Sequence, residues 1–387
     1  MTYRIPRSAL VLTLVGVVGG AAATGLAQGG TAPAYAIYNL GPATTGLSVS
    51  PNGAYVGGFD LTTGAGFVWT GTGGVQTYAN IVTSPARPYQ EPNGINDAGV
   101  AAGWISEQSW GSQPLPFMWS GTSGSALPLP DGVTIGEAYA INNAGVVAGA
   151  IHSNGSWYAT AFSGTTATVL TQQTAAGDIL QYAYGIAGNG TVVGQCTSTN
   201  GVISAFYLLA GATSALNIAQ NDVAFGISPS GSTITGYGGN NAFVYTVATG
   251  SVSIIPLLPA TQSAEGRAVN DSGWVVGYAG GAGSIPFLFD GTAAYALQSL
   301  LTGTEASQWD MTSGVDNGAY GISNNGIIVG RAVHNGLLSG FVMVPVPEPT
   351  VAPLAAAALA AVGVVLRHRQ AGRGPSRTTR GECFGGS

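Results

Sequence analysis

Lysine is absent from the chain, and charge of either sign is scarce. Ten arginines and sixteen acids make up 7% of 387 residues, against roughly 25% in an ordinary soluble domain. Without lysine there is no P-loop phosphate site, no Schiff-base chemistry and no lysine-built nucleic-acid patch. Histidine occurs three times and cysteine twice. Neither a His-Glu-x-x-His nor a Cys-x-x-Cys pair is present, and no Gly-x-Ser-x-Gly nucleophile elbow occurs. What the chain does have is glycine, 62 residues of it, beside a hydrophobic content of 45%. That much apolar surface argues against disorder, and glycine without a G-X-Y period excludes collagen. The class that remains is an all-β, glycine-rich, secreted or surface protein.

The two ends differ from the middle. Residues 1–27 read as a signal peptide, with Arg4 and Arg7 ahead of an apolar run from Ala9 to Val18. Gly25-Leu26-Ala27 offers a small-x-small cleavage site, and Ala34-Tyr35-Ala36 a second one. At the other end Val346-Pro347-Glu348-Pro349-Thr350 precedes an apolar run, Val351 to Leu366, and then Arg367-His368-Arg369. This predicts a transmembrane helix over 351–366 with its basic end held in the cytoplasm. The ordered triple of motif, span and arginines resembles the PEP-CTERM sorting signal of Gram-negative bacteria. The resemblance implies an exosortase-type processing enzyme as partner, acting near Pro347, Glu348 and Pro349. Arg367 and Arg369 would form the retention cluster, and the inner membrane would be a transient station on the way to the cell surface or extracellular matrix. Members of that family usually stop just after their arginines; here a short basic tail, 371–387, follows.

Between residues 28 and 346 only Arg87, Arg267 and Arg331 face fourteen acids, a net charge of −11. Such a domain repels nucleic acid and anionic membrane surfaces, so no nucleic-acid partner is expected. Cys196 lies in this exported part and Cys383 beyond the span, so the two cannot pair within one chain. Cys196 reads as a buried small hydrophobe.

The middle is one unit written seven times. Its turn glycines, Gly53, Gly99, Gly145, Gly190, Gly231, Gly273 and Gly326, are spaced 46, 46, 45, 41, 42 and 53 residues apart. In each copy an apolar residue ends a strand and an Asn/Asp/Ser-x-Gly turn follows. A Val/Ile-rich second strand closes on another glycine, and a third is built around Phe. A fourth comes about ten residues later, as at Ala126 to Leu129 and Val252 to Ile255. The paired glycines are expected to let neighbouring blades approach, with Phe and Trp filling the spaces between them. Four short antiparallel strands per ~45 residues is the arithmetic of a propeller blade. The seventh copy stops after its third strand, at Val344, while Ala36 to Gly41 resembles a fourth strand without the first three. The expected fold is a seven-bladed β-propeller of four-stranded antiparallel blades over 37–344, closed by its N-terminal strand, plus one C-terminal apolar helix. An open solenoid is the alternative, and would need capping repeats.

These copies resemble the HAF repeats of bacterial extracellular proteins, through the Ala/Gly-Ile-Asn/Ser-x-x-Gly turn, the Val-Val-Gly strand and the Ala-Phe-aromatic strand. The His that names that family is not before the Phe here, where Ser204-Ala205, Asn241-Ala242 and Ser339-Gly340 stand. The family implies no general biochemical activity.

Chemistry-bearing patterns are few. His152 and His334 are assigned to loops of distant units and complete no metal site. Asn96-Asp97-Ala98-Gly99 and Asn270-Asp271-Ser272-Gly273 have too few carboxylates for calcium loops, and turn chemistry explains them. No catalytic residue, metal or cofactor is expected. One face is expected to gather Tyr89, Trp104, Trp110, Trp157, Tyr158, Tyr237 and Trp309, near Glu107, Asp131, Glu305 and Asp310. Aromatic faces beside carboxylates suit sugars, while the plainer reading has these side chains capping blades. The sequence therefore points to an exported, non-enzymatic surface or matrix protein, with extracellular polysaccharide as a partner. The alternative is a saccharide- or protein-binding module using the aromatic face. A hydrolase or lyase would need carboxylates clustered around the channel.

Overall fold

The computed structural model describes residues 32–71, 74–77, 87–107, 113–121, 123–220, 222–280 and 284–347. The signal peptide, Trp110, Glu348, Pro349, the 351–366 segment, Arg367, Arg369 and the tail lie outside the described residues. Among the described residues, no helix is long and apolar enough to cross a membrane.

The chain is an all-β propeller of seven antiparallel sheets. Six have four strands in sequence order, as in the third unit, which runs Ile135–Ile141, Val147–Ser153, Ser156–Ser163 and Thr166–Val169. The seventh draws on both ends of the domain. There Tyr35–Pro42 pairs antiparallel with Leu337–Pro345, setting Ile37 opposite Met343 and Asn39 opposite Phe341. This is the fourth-strand place that the sequence assigned to Ala36 to Gly41.

Two fourth strands start earlier than expected, at Ser123–Ala126 and Ser251–Ile254. The physical reason is plain in the second unit. Ala126 still pairs with Phe117, but Pro128 has no N–H to continue a ladder. Leu127 and Leu129 instead pack into the core shared with the third unit. The 53-residue interval before Gly326 holds two short 3-10 turns, Leu297–Leu300 and Thr304–Gln308, then a two-residue strand, Trp309–Asp310. This insertion folds back onto the seventh sheet, pairing Trp309 with His334.

The third-strand phenylalanines, from Phe67 through Phe341, are all buried in a series of cores that run between neighbouring units. Around the turns, the cores are sealed by hydrogen bonds from each unit to the next. Asn96 Nδ2 donates to the Asn142 carbonyl at 3.2 Å, Asn142 to Ala187 at 3.0 Å and Asn270 to Ser323 at 3.1 Å. Asp97 and Asp271 accept backbone amides of the preceding unit, from Asn52 at 2.8 Å and Ser230 at 2.7 Å. The Asn324 amide donates to the Pro51 carbonyl at 2.8 Å, joining the seventh unit to the first. The acids that vaguely resembled calcium loops are thus engaged in fastening blade to blade.

The first strand of every unit lies innermost, and every one of the seven breaks register with its neighbour at the same place. The breaks fall at Gly46/Ser48, Glu91/Gly94, Ala138/Ala140, Ala183/Gly185, Ala224/Gly226, Gly266/Ala268 and Ala319/Gly321. Each is a β-bulge with one extra residue on the inner strand. The cause is a glycine inside each second strand, which runs on past it: Gly58 in the first unit and Gly103, Gly149, Gly194, Gly236, Gly277 and Gly330 in the others. A Cβ on any of these would stand 1.8 to 2.2 Å from a carbonyl oxygen of the bulged strand of the same unit. The sequence reading gave the second-strand glycines to contact between blades; from Gly103 to Gly330 they face their own blade instead, while Gly57, the one it took in the first unit, does approach Pro92 of the second, where a Cβ would lie 3.3 Å from the carbonyl oxygen. Contact between blades falls to the small residue just ahead of the turn. A Cβ on Gly94 would lie 2.8 Å from Cα of Ala140 in the next unit.

Gly194→Ala must displace the Tyr182 carbonyl, which a Cβ would meet at 1.8 Å. Urea unfolding should show a loss of about 1–3 kcal/mol. Gly71→Ala, with nothing nearer than Trp69 at 3.5 Å, should stay within about 0.5 kcal/mol of the parent.

Candidate functional site: the central channel

The bulges set one side chain per unit outside the ladder: Leu47, Asn93, Tyr139, Tyr184, Phe225, Arg267 and Tyr320. All seven line a single cavity of about 230 Å³ at the turn end of the channel. Four of the seven are aromatic. The residues that follow them are small, then Ile or Val, in every unit, so the copies diverge where the side chain meets the cavity and agree beside it.

Ring contacts run continuously through one side of this wall. Tyr182 and Tyr184 stack with planes 4° apart and centroids at 5.5 Å, and Tyr139 meets Tyr184 edge-on at 4.9 Å. Phe225 lies 5.6 Å from Tyr184, and the Arg267 guanidinium sits 4.3 Å from the Phe225 centroid. Outward, Trp157 is 5.4 Å from Tyr182 and 5.3 Å from His152.

Two residues before the bulge, three units carry glutamate. Glu265 accepts from Tyr278 at 2.6 Å and from Arg267 at 3.2 Å. Glu137 accepts from the Tyr139 hydroxyl; burial pushes its pKa up, with that bond pulling against it. Burial, reinforced by Glu137 and opposed by Arg331, raises Glu91 from 4.5 to about 7. Arg331 donates from Nε to the Asp316 carbonyl at 2.8 Å and lies over the Tyr320 ring at 5.8 Å. Burial and the nearby Glu137 raise Tyr182 to about 12, and Tyr139 and Tyr184 are raised too, by burial first. These hydroxyls remain donors across the physiological range. Of the three arginines between 28 and 346, Arg267 therefore lines the cavity and Arg331 stands over Tyr320 of its wall. The third, Arg87, donates to the Gln113 carbonyl and stands 3.8 Å from Glu107.

The residues chosen from sequence are scattered. Trp104 is 9% exposed, between the Glu91 and Pro116 strands, and Trp309 is 5% exposed, against His334 at 4.6 Å and Phe341 at 6.0 Å. Both are core side chains and not parts of an open face. Tyr89 and Tyr158 are half-buried, the latter against the third unit's core. Tyr237 donates to Asn240 at 2.9 Å. Among the described members of that set, Trp157 is the one whose ring contacts lead to the channel. His152 lies within a strand and His334 ends one, so neither is in a loop, and His334 Nδ1 shares a 2.9 Å hydrogen bond with Asn39. Among the described residues no three His, Cys, Asp or Glu side chains are grouped to hold a metal ion. Cys196 is buried in a core, its Sγ 3.3 Å from the Ser204 carbonyl, and burial raises its thiol to about 12. The channel ring was legible in principle, as the variable residue two before the Ile or Val of each turn.

No family model matches the chain, and no curated protein does. Among solved structures it is similar to the β-propeller domain of Myceliophteria thermophila Cps50 (Swd1), at 10% identity, TM-score 0.49, over 80% of this chain and 100% of that one. A streptogramin B lyase matches at 12% identity, TM-score 0.45, over 80% of this chain and 98% of that one. YCF48 from Cyanidioschyzon merolae matches at 11%, TM-score 0.44, over 81% and 100%. Nothing of their chemistry transfers to this chain at such identities.

The raised Glu91 pKa has a sign that can be checked. The folded state holds this proton more tightly than the unfolded chain, so stability falls as pH rises from 4.5 to about 7. Glu91→Gln should therefore melt higher than the parent at pH 8 and close to it at pH 4. By carboxyl NMR, Glu91 should titrate near 7, lower in Glu137→Gln and higher in Arg331→Met.

Proposed function

We propose that the chain is an exported, non-enzymatic protein of the cell surface or extracellular matrix, which binds a saccharide in its central channel. The observation that carries this reading is the run of Tyr139, Tyr184 and Phe225 along the cavity wall, with Trp157 and Tyr182 leading to it. Sugar rings stack on aromatic faces, and the glutamates and tyrosine hydroxyls of the same strands supply the acceptors and donors that orient hydroxyl groups. Export is supported by the signal-like residues 1–27 and by the likeness of 346–369 to a PEP-CTERM signal, whose processing partner would be an exosortase acting near Pro347, Glu348 and Pro349. The pairing of Tyr35–Pro42 with Leu337–Pro345 supports a ring latched by its N-terminal strand, which would keep the channel's shape.

A second reading rests on one observation. Glu91, at about 7, is poised for proton transfer, with Glu137 beside it as a second carboxylate. This would make the channel a hydrolase site. The two readings separate on a glycan array followed by product analysis. A bound glycan should be released unchanged, and Tyr184→Ala should weaken binding about tenfold or more, roughly the worth of one stacking face. Val252→Ala, on an exposed outer strand, should leave binding intact. Cleavage that is lost in Glu91→Gln while binding persists would establish the hydrolase. The surface-exposed form should end near Pro349 by mass spectrometry; peptides containing Cys383 in that form would overturn the sorting reading.

A further inference from the structure

The charge around the channel does not balance, and the imbalance is local. Three ion pairs occur among the described residues: Arg87 with Glu107, Arg267 with Glu265 and Arg331 with Asp316. They engage all three arginines between 28 and 346, and the chain has no lysine. Glu91 and Glu137 are left on adjacent inner strands without an ion pair. Their charges act on each other, and Arg331 reaches Glu91 only at a distance while its contacts go to Asp316 and Tyr320. Glu137 has the neutral Tyr139 hydroxyl as its partner.

The Glu137 carboxylate is held at the hydroxyl of Tyr139, and Tyr139 and Tyr184 both line the cavity. The neighbouring fifth unit shows what such a ring accepts. Phe225, at the bulge of the fifth unit, carries the Arg267 guanidinium 4.3 Å from its centroid. Tyr139 and Tyr184, at the equivalent bulges of the third and fourth units, have no cation over them among the described residues. A π-face close to uncompensated carboxylates is an ammonium site in its chemistry. A neutral sugar leaves the two glutamates unpaired, and an acidic sugar meets a domain of net charge −11.

We infer that the ligand of the channel is an amino sugar with a free, protonated amine, its ammonium seated against Tyr139 and Tyr184 with Glu91 and Glu137 as counter-charges. This rests on the saccharide reading above and narrows it. A cation here would also favour the ionised form of both carboxyl groups, which burial holds back.

A matched pair of oligomers tests it. The intact protein is titrated by calorimetry at pH 7.5 with glucosamine tetramer and with N-acetylglucosamine tetramer, and each titration is repeated for Glu91→Gln/Glu137→Gln. The expected result is binding of the free-amine tetramer about tenfold tighter than the acetylated one. That preference should disappear in the double variant, which should bind the two tetramers alike. The double variant removes two buried charges, so a melt at or above the parent's confirms that it is folded. Equal affinity for the two tetramers, or a preference for the acetylated one, overturns the ammonium inference and leaves the saccharide reading standing. Putrescine binding as tightly as the amino tetramer overturns the sugar part and leaves an organic-cation site. Silence from both tetramers and from a neutral glycan array overturns the saccharide reading itself.

Discussion

A carbonyl oxygen and a missing methyl group organise this protein. In each unit the second strand places a glycine where any Cβ would collide with the inner strand's own backbone. The inner strand uses that space to bulge, and the bulge lifts one side chain out of the hydrogen-bonded ladder. Repeated seven times, the same local event produces a ring of seven side chains around one cavity. The blade cores and turn fastenings hold this ring but do not define it. They would be equally content with a regular strand that turned its side chains between the blades.

Scarcity of charge makes the channel more conspicuous. In a domain with three arginines, one lines the cavity and another lies over the cavity's Tyr320, and three of the four acids on inner strands, Glu91, Glu137 and Glu265, stand two residues before a bulge. Elsewhere acids serve backbone amides, as Asp97 and Asp271 do at the turns and Asp310 does over Thr312 and Ser313. Those bonds hold Asp310 down at about 2, the Ser313 hydroxyl bond foremost. Asp310 at its turn and Glu91 and Glu137 on the inner strands are thereby driven in opposite directions by their surroundings.

Features that recur were legible in the sequence. Seven turn glycines, seven phenylalanines and an orphan strand at the N-terminal side of the repeats were enough for the architecture, the number of blades and the partner of Tyr35–Pro42. Features that depend on a single unit were not. Pro128 shifted a strand boundary, and the insertion around Trp309 folded an apparent surface tryptophan into the core. Trp104 deceived for a different reason, since its place on a second strand says nothing of the inner strand that covers it. The channel ring was missed because repeat reading prizes what is constant, and the ring is the position that is not. The purpose of the second-strand glycines could not be read either, because an invariant glycine announces a close approach without naming what approaches.

The bulged side chain makes no ladder bond and fills no blade core, so its identity is nearly decoupled from folding. Seven such positions amount to a panel of settings around a fixed frame, coupled only where neighbouring rings touch, as from Tyr139 through Tyr184 and Phe225 to Arg267. A chain built this way can change what it recognises by single substitutions, without the compensating repairs that altering a packed interior demands. Divergence among related chains should accordingly concentrate at these seven places, while the glycine behind each one stays the same.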